Sequence, residues 1–79
     1  MISLYKQIEK LESIIERIED IIDECKTKIE DIQDKADEKE RELTDKELER
    51  IENYEIKIEE LEDEKDAIEN ALDYLRDYE

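Results

Sequence analysis

Apolar residues recur every three or four positions from Leu4 to Ala36, and Glu, Asp, Lys and Arg fill nearly all the gaps. With Ile8 at heptad position a, the a series runs Ile8, Ile15, Ile22, Ile29, Ala36 and Leu43. The d series runs Leu4, Leu11, Ile18, Cys25, Ile32 and Lys39. Such a repeat marks a helix that buries one stripe against another helix. The pattern resumes downstream with a at Ile51, Ile58, Lys65 and Leu72, and d at Tyr54, Leu61, Ile68 and Leu75. Leu43 and Ile51 are eight residues apart instead of seven, so the frame slips by one between them.

Two architectures give such a slip. A continuous parallel coiled-coil rod can carry one skipped residue and unwind locally. Alternatively, one helix ends and another begins. The residues at the slip favour the second. Thr44-Asp45-Lys46-Glu47 has the spacing of a capping box, in which the Thr hydroxyl takes the Glu47 N–H and the Glu carboxylate takes the Thr N–H. Leu43 and Leu48 stand where a hydrophobic staple places its two residues. Asp45 and Glu47 suit the positive end of a new helix, and Lys39 and Arg41 the negative end of the old one. The expected fold is therefore all-α: one domain over residues 1–79, an antiparallel two-helix coiled-coil hairpin. Its helices cover about 3–41 and about 45–78, with a turn at about 42–44. Folding about residue 43 sets Leu11 against Leu75, Ile18 against Ile68, Cys25 against Leu61, Ile32 against Tyr54 and Ala36 against Ile51. On the flanks it brings Glu12 towards Arg76, Lys26 towards Glu62, and Lys28 towards Lys57.

The apolar arc is wider than a two-helix seam needs at the end away from the turn. Leu4, Ile14, Ile18 and Ile21 on the first helix and Ala67, Ala71, Tyr74 and Tyr78 on the second form two broad faces at this open end. They predict a homo-oligomer, most simply a dimer that makes a four-helix bundle through residues 2–22 and 67–78. The same faces would alternatively receive a different protein.

Composition sharpens this picture. Charged residues make up 53% of the 79 residues and the net charge is −16. Charge alone would point to disorder, but the periodicity and the absence of Gly and Pro point to long helices. With no His, no Gly-rich phosphate loop and no base beside Ser3 or Ser13, an enzyme is not expected, nor is a cofactor or a metal site. Asp31, Asp34 and Asp37 read as a solvated face, Cys25 as a core residue. Lys65 reads as a seam residue that carries its charge to the edge. No apolar run is long enough for a membrane span, and MISLYKQIEKLE lacks the pattern of a signal peptide. The lone Cys fits a reducing compartment, so a cytoplasmic protein is expected.

So acidic a surface repels nucleic acid and anionic lipid and attracts basic protein surfaces. The densest run is EELEDEKD at 59–66, where Glu59, Glu60, Glu62, Asp63, Glu64 and Asp66 form the candidate acidic patch. Function is thus expected to lie in protein–protein interaction: a self-associating hairpin that occupies a partner's surface. A second expectation is an acidic inhibitor, such as a phage or mobile element would encode, that imitates nucleic acid before a DNA- or RNA-binding protein or nuclease.

Overall fold

The computed structural model describes residues 3–78 and shows the chain reversing direction once. Helix α1 covers Leu4–Glu38 and helix α2 Asp45–Arg76. They lie against each other in a particle 57 Å long and 18 × 16 Å across. A single rod is thereby ruled out. Residue 2 of the expected docking segment lies outside the described residues.

Each helix starts where its chemistry dictates. Ser3 caps α1, its Oγ accepting the Lys6 N–H at 3.2 Å. At α2 both halves of the capping box form: the Glu47 N–H donates to Thr44 Oγ1 at 3.1 Å, and the Thr44 N–H donates to Glu47 Oε1 at 3.0 Å. Leu43 is half-buried and Leu48 half exposed, and both line one groove with Ala36.

The end of α1 departs from expectation. The helix stops at Glu38, not 41, and the connection spans residues 39–44 instead of 42–44. Glu40 takes a left-handed backbone with φ of 51°. The Glu40 N–H donates to the Asp37 carbonyl at 3.0 Å and the Arg41 N–H to the Ala36 carbonyl at 3.1 Å. This is a Schellman motif, which satisfies the last carbonyls of a helix and turns the chain away. Its left-handed position normally holds Gly; here it holds Glu. Arg41 consequently does not lie along the end of α1. It reaches forward to Glu47, with Nη1 2.7 Å from Oε1 and Nη2 3.1 Å from Oε2. At the far end α2 stops at Arg76, and Asp77 and Tyr78 form a turn, two residues short of the expected helix end.

The core is a thin seam. Ile8, Ile18, Ile22, Cys25, Ile32 and Ala36 of α1 are buried, with Ile51 and Leu72 of α2. The other described apolar seam positions are half-buried, among them Leu11, Ile15, Ile29, Tyr54, Ile58, Leu61, Ile68 and Leu75. Two helices alone leave both sides of an a/d stripe open, hence the partial burial. The register is the expected one: Glu12 meets Arg76 across the seam, with 3.2 Å between Oε2 and Nη2. Among the described residues no helix is long and apolar enough to cross a membrane.

Candidate functional site

Two packed helices form a layer with two broad faces, and heptad position decides which face a side chain joins. In an antiparallel pair the e positions of both helices flank one side of the seam and the g positions the other. The structure shows this division directly. One open groove of about 460 Å³ is lined by Glu19, Ile22, Asp23, Lys26, Glu62, Lys65 and Asp66. A second, of about 370 Å³, is lined by Glu12, Ile15, Glu16, Glu69, Leu72, Asp73 and Arg76. Every one of these residues sits at position a, b or e.

The b and e positions make an acidic face. Along α1 they are Glu9, Glu12, Glu16, Glu19, Asp23, Glu30 and Asp37, with Lys26 the one base. Along α2 they are Asp45, Glu52, Glu55, Glu59, Glu62, Asp66, Glu69 and Asp73, with Arg76 the one base. Fifteen acids therefore oppose two bases. Over roughly 48 Å of helix this is a carboxylate about every 3 Å.

Two cations bridge the helices across this face. Arg76 pairs with Glu12, as noted. Lys65, from the seam, reaches out between two carboxylates on opposite helices, with Nζ 3.3 Å from Glu19 Oε1 and 3.8 Å from Glu69 Oε1. The hydrogen bond to Glu19, followed by the charges of Glu19, Glu69 and Asp66, raises its pKa. Lys65 thus ties one carboxylate from each helix to a single ammonium. Lys26 lines the same groove as Glu62. The carboxylates and Arg76 are about half exposed and Lys65 is half-buried, and solvent screening keeps each pair weak.

The c and g positions make a face of opposite character. They carry the bases Lys10, Arg17, Lys28, Lys35, Lys46, Arg50 and Lys57 against the acids Glu24, Asp31, Glu38, Glu60 and Glu64. In a chain of net charge −16 this face is net positive. Its open end is apolar: Ile14 and Ile21 at g, Ala67 and Tyr74 at c, Ala71 and Tyr78 at g. Tyr74 and Tyr78 are about two-thirds exposed, at 64% and 65%, and Ile14 at 36%. The Tyr rings meet edge to face with centroids 5.3 Å apart. The Tyr78 O–H donates to the Tyr74 oxygen at 3.2 Å, which raises the Tyr78 pKa.

The expected site residues sort accordingly. Ile14, Ile21, Ala67, Ala71, Tyr74 and Tyr78 come together on one face. Ile18 is buried in the seam, and Leu4 is half-buried at its end. The acidic run does not form one patch. Glu59, Glu62 and Asp66 join the acidic face, Glu60 and Glu64 the opposite face, and Asp63 the outer side of α2, because neighbours in sequence stand about 100° apart on a helix. Thr44 and Glu47 meet at the turn; Arg41 first, then the Thr44 N–H, holds the Glu47 carboxyl down at about 2. Asp31, Asp34 and Asp37 are exposed, and among the described residues no group of acids is gathered to hold a metal ion. Comparison with protein-family models, with curated proteins and with solved structures finds no match.

Proposed function

We propose that this chain is a non-enzymatic interaction module that occupies a basic protein surface with its b/e face. One observation carries this: the separation of charge between the two faces, fifteen acids to two bases on one and five to seven on the other. A surface that served solubility alone would mix the signs. Here the carboxylates are gathered into two parallel columns on a rigid scaffold, which suits the steering and capture of a positively charged partner.

A second version names the partner's normal ligand. The spacing of about 3 Å per carboxylate is close to the roughly 3.4 Å between phosphates along one nucleic-acid strand. A protein surface that tracks a phosphate backbone would meet similar charge on this face, so the module would act as a competitive inhibitor of nucleic-acid binding.

The experiment that tests both uses two variants with equal change of charge, made within the same eight residues. Glu59→Lys, Glu62→Lys and Asp66→Lys together reverse the acidic face; Glu60→Lys, Asp63→Lys and Glu64→Lys together leave it intact. Partners are captured from cells at about 50 mM and about 500 mM salt, where screening differs severalfold. Capture should vanish at high salt and in the first variant and persist in the second, with helicity retained in both. Equal loss in both variants would reduce the interaction to net charge, and persistence in both would remove the face from it. Competition by duplex or single-stranded DNA for the captured partner supports the nucleic-acid version; its absence leaves only the general one.

A further inference from the structure

We propose that the c/g face docks a second copy of this chain, with a two-fold axis parallel to the helices, so that α1 of each copy lies over α2 of the other. The interaction is separate from the capture of a basic partner, and neither depends on the other.

Charge selects the face. Two chains of net charge −16 repel. The b/e face would bring fifteen acids against fifteen, whereas the c/g face is the broad side with a slight excess of bases. It also holds the largest exposed apolar group of the open end, Ile14, Tyr74 and Tyr78.

Area selects the extent of contact. A Tyr side chain offers about 150–250 Å², so two that are about two-thirds exposed supply roughly 250 Å². A specific interface buries about 800 Å² from each partner. The apolar end alone falls well short, whereas the whole face, 57 Å by 18 Å, reaches about 1,000 Å². The contact must therefore run the length of the hairpin.

Sequence order along the face then selects the orientation. If the copies ran in opposite directions, the apolar open end would lie on the basic turn end. Ile14 would meet Asp31, and Arg17 would meet Lys28. With the axis along the helices, open end lies on open end. Ile14 meets the second copy's Ala71 and Tyr74, and Lys10 lies over the faces of its Tyr74 and Tyr78, where a cation is favoured. Further along, Lys28 faces Glu60 and Asp31 faces Lys57. Like charges also meet where Lys28 lies opposite Lys57 and Lys35 opposite Arg50, and Glu24 lies opposite Glu60 and Glu64. The acidic mismatch gives the arrangement a signature of its own, since removing a charge there should strengthen association.

Sedimentation equilibrium of the full chain tests the proposal. The 9.6-kDa chain should show a concentration-dependent dimer. Tyr74→Ser with Tyr78→Ser should weaken it on the order of 100-fold or more, without loss of helicity. Glu24→Gln should tighten it about 2–5-fold. Orientation is read with a spin label on Glu42→Cys in a Cys25→Ser background: the two turn tips should lie within about 25 Å, a little over two helix widths. A chain that stays monomeric, a dimer indifferent to the tyrosines, or a Glu24→Gln variant that binds no more tightly would each overturn the proposal. So would turn tips separated by the 57 Å length of the hairpin.

Discussion

Replacing Glu40 by Gly should stabilise this protein, although Gly is ordinarily a liability in a helical chain. Glu40 is held at φ of 51°, where an L-residue crowds its own carbonyl at a cost of about 1–2 kcal/mol. Glycine removes that crowding but adds freedom to the unfolded chain, which takes back about 0.4–1 kcal/mol. Taking the middle of each range, the net gain is about 0.8 kcal/mol. For a domain of this size it corresponds to a rise in Tm of about 2–8 °C. The two Schellman hydrogen bonds, Glu40 to Asp37 and Arg41 to Ala36, involve only backbone atoms and survive the substitution. Glu40→Gln is the control, since it removes the same negative charge while keeping a side chain in the left-handed region. Thermal and urea unfolding followed by far-UV circular dichroism, at one fixed protein concentration, would give all three stabilities. The reasoning fails if Gly is neutral or destabilising. It fails equally if Gln gains as much as Gly, because relief of charge would then be the cause.

Other outcomes follow from the turn and the acidic face. Thr44→Ala removes the cap of α2 and should cost about 1 kcal/mol in urea unfolding, with α1 unaltered in the folded state. The carboxyl of Glu47 is depressed from 4.5 to about 2, so its contribution to stability is complete above about 4.5 and is lost as pH falls towards 2. The difference between wild type and Glu47→Gln should accordingly be constant near neutrality and disappear in strong acid; a gap that persists there would show a role other than its charge. For Lys65 the sign is opposite: its pKa is raised, so its pairing is complete below the ordinary lysine value and fades at more alkaline pH. Lys65→Gln should lower stability at neutral pH and lose its disadvantage as the lysine of the wild type deprotonates. Added salt should stabilise the isolated hairpin, measured as a rise in Tm from about 50 mM to about 500 mM, because repulsion on the b/e face outweighs its two bridging cations.

The reversal of the chain could be read from sequence because it is written in side chains that act locally. Thr44 and Glu47 cap α2 by direct hydrogen bonds, and the a/d series sets which residues meet across the seam. The Glu12–Arg76 pair follows from that register. The end of α1 was not legible, since its signature is Gly at the left-handed position and the chain has none. Backbone hydrogen bonds and the fold of the connection force Glu40 there instead. The pairing of Arg41 with Glu47 depends on that geometry and was hidden with it. The acidic run at 59–66 misled for a different reason: density along the chain is not density on a surface. The two-faced charge distribution was present in the heptad letters all along, but only when charges, like apolar residues, are sorted by position. Ile14, Tyr74 and Tyr78 were found on the surface because they fall outside a and d, whereas Ile18 lies within d and is consumed by the seam.

The acidic face also runs against the stability of its own helices. Along α1 the neighbours Glu9–Glu12, Glu12–Glu16, Glu16–Glu19 and Glu19–Asp23 are spaced three or four residues apart. Along α2 the series from Glu52 through Glu55, Glu59, Glu62, Asp66 and Glu69 to Asp73 adds six such pairs. At about 0.2–0.5 kcal/mol each, ten like-charge pairs cost about 2–5 kcal/mol. Small domains have little more than 5 kcal/mol to lose. Exchanging a few of these acids for the lysines and arginines of the c/g face would relieve the repulsion and leave composition and net charge unchanged. Solubility would be served equally well. Segregation is therefore explained by neither folding nor solubility, and it is the feature on which the proposed capture of a basic partner rests.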